Sequence, residues 1–227
     1  WSVRHAQDWR KGEDRFFQHL IDGSRAANRL GWQWTTGIGS SKPYGFSRWQ
    51  VEKRAPGLCN QCPHQTSCPI QEWPEEPLLE AVPVPTKINN YGPTTTIQAG
   101  APTQVWLTAE SLGEKDPALL HNPSLPAVFV FDEPLLWRLR ISPKRLVFLV
   151  ETLAEIAETR PLNIFLGDPQ IELDGKQLAV THAPVPGFQK HAQSLNIVET
   201  WPWPWLCQPN NAPVHSFSSW IKKANKP

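Results

Sequence analysis

The chain changes its hydrophobic rhythm twice. Between Trp9 and Ile21 apolar residues recur at helical spacing, with Phe16, Phe17, Leu20 and Ile21 on one face. Asp8 can cap the start of that helix, and Gly23-Ser24 break it. A second short helix is predicted over Arg25 to Trp34, ending at Thr35-Thr36-Gly37-Ile38-Gly39. Beyond Lys42-Pro43-Tyr44-Gly45 the pattern fades into loop. From Pro74 to Thr103, Pro74, Pro77, Pro83, Pro85, Pro93 and Pro102 recur without periodicity, which predicts a semi-extended linker between two units.

The second unit alternates strands and helices. Val105-Trp106-Leu107 reads as a short strand. Ala127-Val128-Phe129-Val130-Phe131 is a continuous apolar run, as in a strand covered on both faces of a parallel sheet. Ser142 caps and Pro143 opens a helix from Lys144 to Thr159, whose Leu146, Leu149, Val150, Leu153 and Ile156 form a stripe. Asn163-Ile164-Phe165-Leu166 is the next strand, closed by Gly167-Asp168-Pro169. Leu178–Thr181 and Asn196–Val198 add two more. This order predicts an α/β protein with a parallel sheet. The predicted domains are residues 1–73, a linker at 74–103, and residues 104–227. Trp201-Pro202-Trp203-Pro204-Trp205 must be extended, because each proline removes a donor and pushes its predecessor out of helical geometry. There is no GxGxxG or GxxxxGK[ST] phosphate loop.

Composition narrows the function classes. The net charge is +1, from 22 basic and 21 acidic residues, so any nucleic-acid contact needs a local basic patch. Forty per cent of residues are apolar, enough for a packed core. No run of about 18 apolar residues exists to span a membrane. The first residues, Trp1-Ser2-Val3-Arg4, lack the apolar region of a signal peptide, so the expected location is cytoplasmic. The 227 residues contain no methionine, even at the start, which leads us to expect a piece of a longer polypeptide or a processed chain.

Two sets of motifs carry a resemblance. Asp8-Trp9-Arg10-Lys11-Gly12-Glu13, then Asp22-Gly23, then Asn28-Arg29-Leu30-Gly31-Trp32-Gln33-Trp34 and Gly37 resemble the flavin-binding segment of the DNA photolyase and cryptochrome family. Lys115–Leu119, Val128–Asp132, Ser142–Leu146 and Gly167–Pro169 are similar, in order, to the amino-terminal α/β domain of that family. The implied architecture is a partial helical FAD-binding segment joined to a Rossmann-like α/β domain, in an order reversed from the family's. The implied activity is light-driven electron transfer from FAD to pyrimidine dimers in DNA. A cryptochrome-like light sensor and a flavin-free scaffold subunit are the alternatives.

Residue by residue, the resemblance implies that Asp22 lies near the flavin and that Asn28 faces flavin N5. It puts Trp9 and Trp32 on the tryptophan chain that passes electrons to the flavin, and Trp34 against the flipped dimer. Ser24 replaces the family's second aspartate, and Pro43-Tyr44-Gly45-Phe46-Ser47-Arg48-Trp49 replaces an aromatic-rich stretch. A circular permutation, a truncated chain, or a partner chain that completes the flavin domain each accounts for the missing parts. Arg25, Arg29, Lys42, Arg48, Lys53 and Arg54 surround the segment that would face DNA.

The cysteines add a separate expectation. Cys59-Asn60-Gln61-Cys62 with Cys68-Pro69 forms C-x2-C-x5-C-P, and Cys207 lies far downstream. A Cys-Pro ending is common among iron–sulfur ligands, and the stretch resembles the ligand set of the bacterial photolyases that carry a 4Fe–4S cluster. Zinc held by Cys59, Cys62, Cys68 and either His64 or Cys207 is the rival. Unligated thiols near a turn are the third reading.

Overall fold

The computed structural model describes residues 9–21, 25–35, 45–72, 91–208 and 220–222. The chain divides into two units, Trp1–Pro83 and Val84–Pro227.

The first unit begins with α1 (Trp9–His19) and α2 (Arg25–Thr35), which pack on each other. Trp9, Glu13 and Phe17 form the buried face of α1, at i, i+4 and i+8. The apolar pattern puts Phe16 and Ile21 on the inner face, yet they are 53% and 52% exposed. The face turns away from them because the Glu13 carboxylate has partners on α2 and goes inside. Where the periodicity fades, a third helix forms, α3 (Arg48–Arg54). Its start is a capping box: Ser47 accepts from the Gln50 N–H, and the Gln50 side chain accepts from the Ser47 N–H. A single 3-10 turn follows at Leu58–Gln61, entered through Gly57 at φ 81°. Arg48 ties this segment together, its N–H donating to the Ile70 carbonyl at 2.6 Å and its guanidinium to the Gln65 carbonyl at 2.9 Å.

The second unit is a six-stranded sheet with strands β1 (Ile97–Gln98), β2 (Gln104–Leu107), β3 (Ala127–Asp132), β4 (Leu162–Gly167), β5 (Leu178–Thr181) and β6 (Ile197–Trp201). Their order across the sheet is β1-β6-β5-β2-β3-β4. All pairings are parallel except β1 with β6. The α/β expectation and its parallel sheet are therefore present, in a Rossmann-like arrangement. Ile97 and Gln98, inside the proline-rich stretch, belong to this sheet as an edge strand. Residues 74–90 of that stretch lie outside the described ones.

The crossovers put helices on both faces. α4 (Pro117–His121), α5 (Glu133–Leu139) and α6 (Pro143–Thr159) lie between β2 and β4, while α7 (Pro169–Glu172) and α8 (Pro186–Ala192) lie between β4 and β6. One core layer holds Val105, Leu107, Leu119, Phe129, Leu153 and Ile156. The other holds Trp106, Val128, Val130, Leu173, Val180 and Phe188. Alternate residues of β2 and β3 serve opposite layers, which is why those strands read as unbroken apolar runs. Residues 202–205 form neither helix nor strand; a tight turn at Pro204 brings the Trp205 N–H to the Trp203 carbonyl at 2.8 Å, and the Trp205 Nε1–H donates to the Tyr91 carbonyl at 3.4 Å.

Candidate functional site

The first candidate is the contact between α1 and α2. Glu13 is fully buried at its centre. The Asn28 amide, 8% exposed, donates to a Glu13 carboxylate oxygen at 2.8 Å and to the Glu13 backbone carbonyl at 3.2 Å. Arg25 and Arg29 each reach the other carboxylate oxygen at 3.4 Å, and Arg25 also pairs with Asp14. A buried carboxylate needs such partners, since an uncompensated charge in the interior is very costly. The Asn28 amide nitrogen contacts Glu13 twice, which fixes the orientation of the side chain.

Gly12 and Trp32 meet on the same seam. A methyl group built on Gly12 would lie 2.7 Å from the outer edge of the Trp32 ring. Only glycine lets that indole rest on the α1 backbone. Phe16 meets Trp32 edge to face, with centroids 6.2 Å apart. Trp9 is buried, with the Arg10 guanidinium 4.9 Å above its ring. Of the expected flavin-facing residues, Trp9, Asn28 and Trp32 thus lie on one helix pair. Asp22 falls outside the described residues, as does the side chain of Trp34, whose backbone lies in the last turn of α2.

Fit to a flavin can be tested only at the ring end. The Asn28 carbonyl can accept from a protonated ring nitrogen, and the half-buried Trp32 supplies a flat apolar surface. Glu13 is the residue that sequence reasoning passed over. It stood inside the quoted motif, but a charged residue among apolar positions is normally assigned to the outer face.

The cysteine segment is arranged differently from the expectation. Cys59, Cys62 and Cys68 are free and partly buried. The Glu52 carboxylate accepts the N–H of Gly57 at 2.6 Å and of Cys59 at 3.4 Å. The Gly57 N–H and then the Cys59 thiol hold Glu52 below its ordinary value. Burial, and then Glu52, push the Cys59 thiol above its ordinary value. Among the described residues no group of three or more His, Cys, Asp or Glu side chains could hold a metal ion. Cys59, Cys62 and Cys68 belong to the first unit and Cys207 to the second.

The second unit gathers polar groups at the carboxyl ends of its strands. The chain leaves β2 toward β3 on one side and returns through β5 on the other, so the order reverses between β2 and β5. Open α/β sheets bind ligands at such a point. Thr108 and Thr181 are buried there. Thr181 Oγ accepts the Ala118 N–H at 3.0 Å, and Asp116 accepts the Leu119 N–H at 3.0 Å, capping α4. Burial pushes the Asp116 carboxyl above its ordinary value, against the hydrogen bonds that lower it. One strand over, His191 Nε2 lies 3.0 Å from Asp132, which also caps α5 through the Leu135 N–H.

The fold and the helix pair together define a Rossmann-like α/β unit preceded in the chain by a small helical unit. Over short stretches this chain is similar to deoxyribodipyrimidine photo-lyases. It is 59% identical over 32 residues to that of a Synechococcus species, which is 14% of this chain and 7% of the relative. It is 32% identical over 98 residues to the Buchnera aphidicola protein, 37% of this chain and 20% of the relative. It is 53% identical over 38 residues to the Escherichia coli protein, 16% of this chain and 8% of the relative. The matched stretches therefore span at most a fifth of these relatives, and the likeness supports kinship with photolyases without fixing the domain arrangement. No family model and no solved structure matches the chain. Among the described residues no helix is long and apolar enough to cross a membrane.

Proposed function

We propose that this chain is part of a photolyase-type flavoprotein that uses light to split pyrimidine dimers in DNA. The observation that carries the reading is the α1–α2 seam, where Glu13 fixes the Asn28 amide and Gly12 admits the Trp32 ring. FAD, when bound, would supply the photoexcited electron. Asn28 would hold its carbonyl toward the flavin ring, oriented by Glu13. Trp32 and Trp9 would re-reduce the flavin, Asp22 would lie beside it, and Trp34 would back the lesion. DNA is the proposed partner, and a partner chain would complete the grip on the cofactor.

A non-repairing light sensor is the second reading. Ser24 at the place of the family's second aspartate, and the altered stretch Pro43–Trp49, favour it. Absorbance of the purified protein tests the first step, with structured bands expected at about 370 and about 450 nm for bound flavin. A colourless preparation defeats both readings. Illumination with a dimer-containing oligonucleotide then separates them: restored pyrimidines support repair, and unchanged dimer leaves the sensor.

A further inference from the structure

The cations of the first unit do not all face the same way. Arg25 and Arg29 are engaged by Glu13, and Arg25 by Asp14 as well. Arg48 is tied to the loop after α3, through the Gln65 carbonyl at 2.9 Å and the Gln71 side chain at 3.4 Å. Lys42 lies outside the described residues. Lys53 and Arg54 are exposed, and among the described residues neither pairs with a carboxylate. The Lys53 ammonium sits 5.0 Å over the Trp49 ring, and the Arg54 guanidinium donates to the Gln50 carbonyl at 3.4 Å.

These residues share one surface. Trp49 and Lys53 are four positions apart on α3, as are Gln50 and Arg54, so the four form one block of helix face. Together they line an open cleft of about 370 Å³. Trp49 is 66% exposed, although an indole is ordinarily well covered. Glu52, the acid of the helix, turns to the loop, where its carboxylate accepts the Gly57 and Cys59 N–H groups. The face is thus a flat π surface beside two cations, with no acid from its own helix to neutralise them.

We propose that this face of α3 binds single-stranded DNA, with an unpaired base stacked on the Trp49 indole and the flanking phosphates held by Lys53 and Arg54. A π face takes any base, but only one that is not already stacked in a duplex. The two neighbouring cations match a strand that carries one charge on every nucleotide. The Lys53 ammonium, held by the indole, can turn to a phosphate, where a charge-assisted hydrogen bond is the stronger attraction. An apolar partner would leave both cations without counter-charges, and an acidic peptide would leave the indole with nothing planar to stack on. A bilayer needs a broad apolar face, which a seven-residue helix with no buried residue does not have. The choice of DNA over RNA rests on the function proposed above; the ring and the charges do not.

One stack and two phosphate contacts give weak binding, in the non-specific range of about 1 to 100 µM. The test is fluorescence anisotropy of the full chain with a labelled, lesion-free thymidine strand of about 15 nucleotides, in the dark. Trp49→Ala should weaken binding at least about fivefold, the loss of one base–aromatic stack, and Trp49→Phe should retain most of the affinity. On an abasic strand of the same length, Trp49→Ala should bind as the parent protein does, because no base is there to stack. Lys53→Gln with Arg54→Gln should lower the slope of log affinity against log salt by about 1.4, for two phosphates of a single strand. Lys176→Gln, which removes a cation over the Phe165 ring in the second unit, should change nothing.

No binding at about 100 µM protein and about 50 mM salt overturns the proposal. So does a Trp49→Ala variant that binds the thymidine strand normally, or that loses as much on the abasic strand. Neither flavin nor dimer takes part in the assay. A colourless protein that binds the strand through Trp49 therefore defeats the photolyase reading alone, and a repairing protein indifferent to Trp49→Ala defeats this inference alone.

Discussion

The Asn28 amide nitrogen contacts Glu13 twice, once at the carboxylate and once at the backbone carbonyl of the same residue. The pair joins α1 to α2 across 15 positions of sequence. It turns a buried charge, which alone would oppose folding, into the register of the helix pair. Removing the amide strands the carboxylate. Asn28→Ala should lower stability by about 2 kcal/mol, the scale of a lost hydrogen bond to a charged group, read from denaturant unfolding.

Asn28→Asp places two carboxylates in one buried site, and the pair should then hold a proton to higher pH. A folded-state pKa raised above the unfolded value gives stability that is present at low pH and lost as pH rises through the folded pKa. Asn28→Asp should therefore lie closest to the parent protein in acid and fall away toward neutral pH. Parallel behaviour of the two proteins across pH would contradict a shared buried site.

Gly12 sets how closely the helices approach at Trp32. Gly12→Ala puts a methyl where the indole edge already lies, so either the ring or the helix must move. Overpacking of this kind costs about 1–3 kcal/mol. The expected result is a lower midpoint in denaturant with a shifted Trp emission. Where flavin is bound, slower photoreduction should follow, and an unaltered rate would remove the Gly12–Trp32 contact from the electron path.

Cys59 carries a thiol raised first by burial and then by the Glu52 carboxylate. Glu52→Gln removes the second cause. Cys59 should then ionise at lower pH and be alkylated faster near pH 8, as peptide mass spectrometry would show. The same variant gives up carboxylate bonds to the N–H groups of Gly57 and Cys59, so the loop should also lose protection from proteolysis.

Asp116 is a cap held in a buried place. Its carboxyl is raised by burial, so its contribution to stability is greatest at low pH and declines as pH rises through the folded value. Asp116→Asn keeps the cap on Leu119 without the charge. It should flatten the dependence of unfolding free energy on pH and be neutral or stabilising at pH 7. Asp116→Ala, which has no acceptor, should cost about 1 kcal/mol.

Much of the second unit was legible in the residues, because a strand covered on both faces must be apolar throughout. Val128, Phe129 and Val130 announce a central strand whatever surrounds them. Proline at the first turn marked α6, and the Trp-Pro alternation excluded helix. The helices α5 and α8 were not legible. α5 has no buried residue, and α8 is seven residues long with a single strongly buried ring, Phe188, so neither carries a periodic stripe. α3 was not legible either: the stretch reads as loop, because the helix buries nothing and so carries no periodic stripe.

What the sequence by itself determined is the alternation of strands and helices, the absence of helix from residues 202–205, and the motif that places Asn28, Trp32 and Trp9 on one helix pair. Those follow from local rules: side-chain period, backbone restriction by proline, and residue spacing. Tertiary structure alone decided that Glu13 goes inside and Phe16 outside, that Ile97 joins the sheet, and that the Gly57 and Cys59 N–H groups close on Glu52. Each of those outcomes depends on a partner distant in sequence. The choice between burying a charge and burying a ring is settled only when Asn28, Arg25 and Arg29 arrive to satisfy the carboxylate.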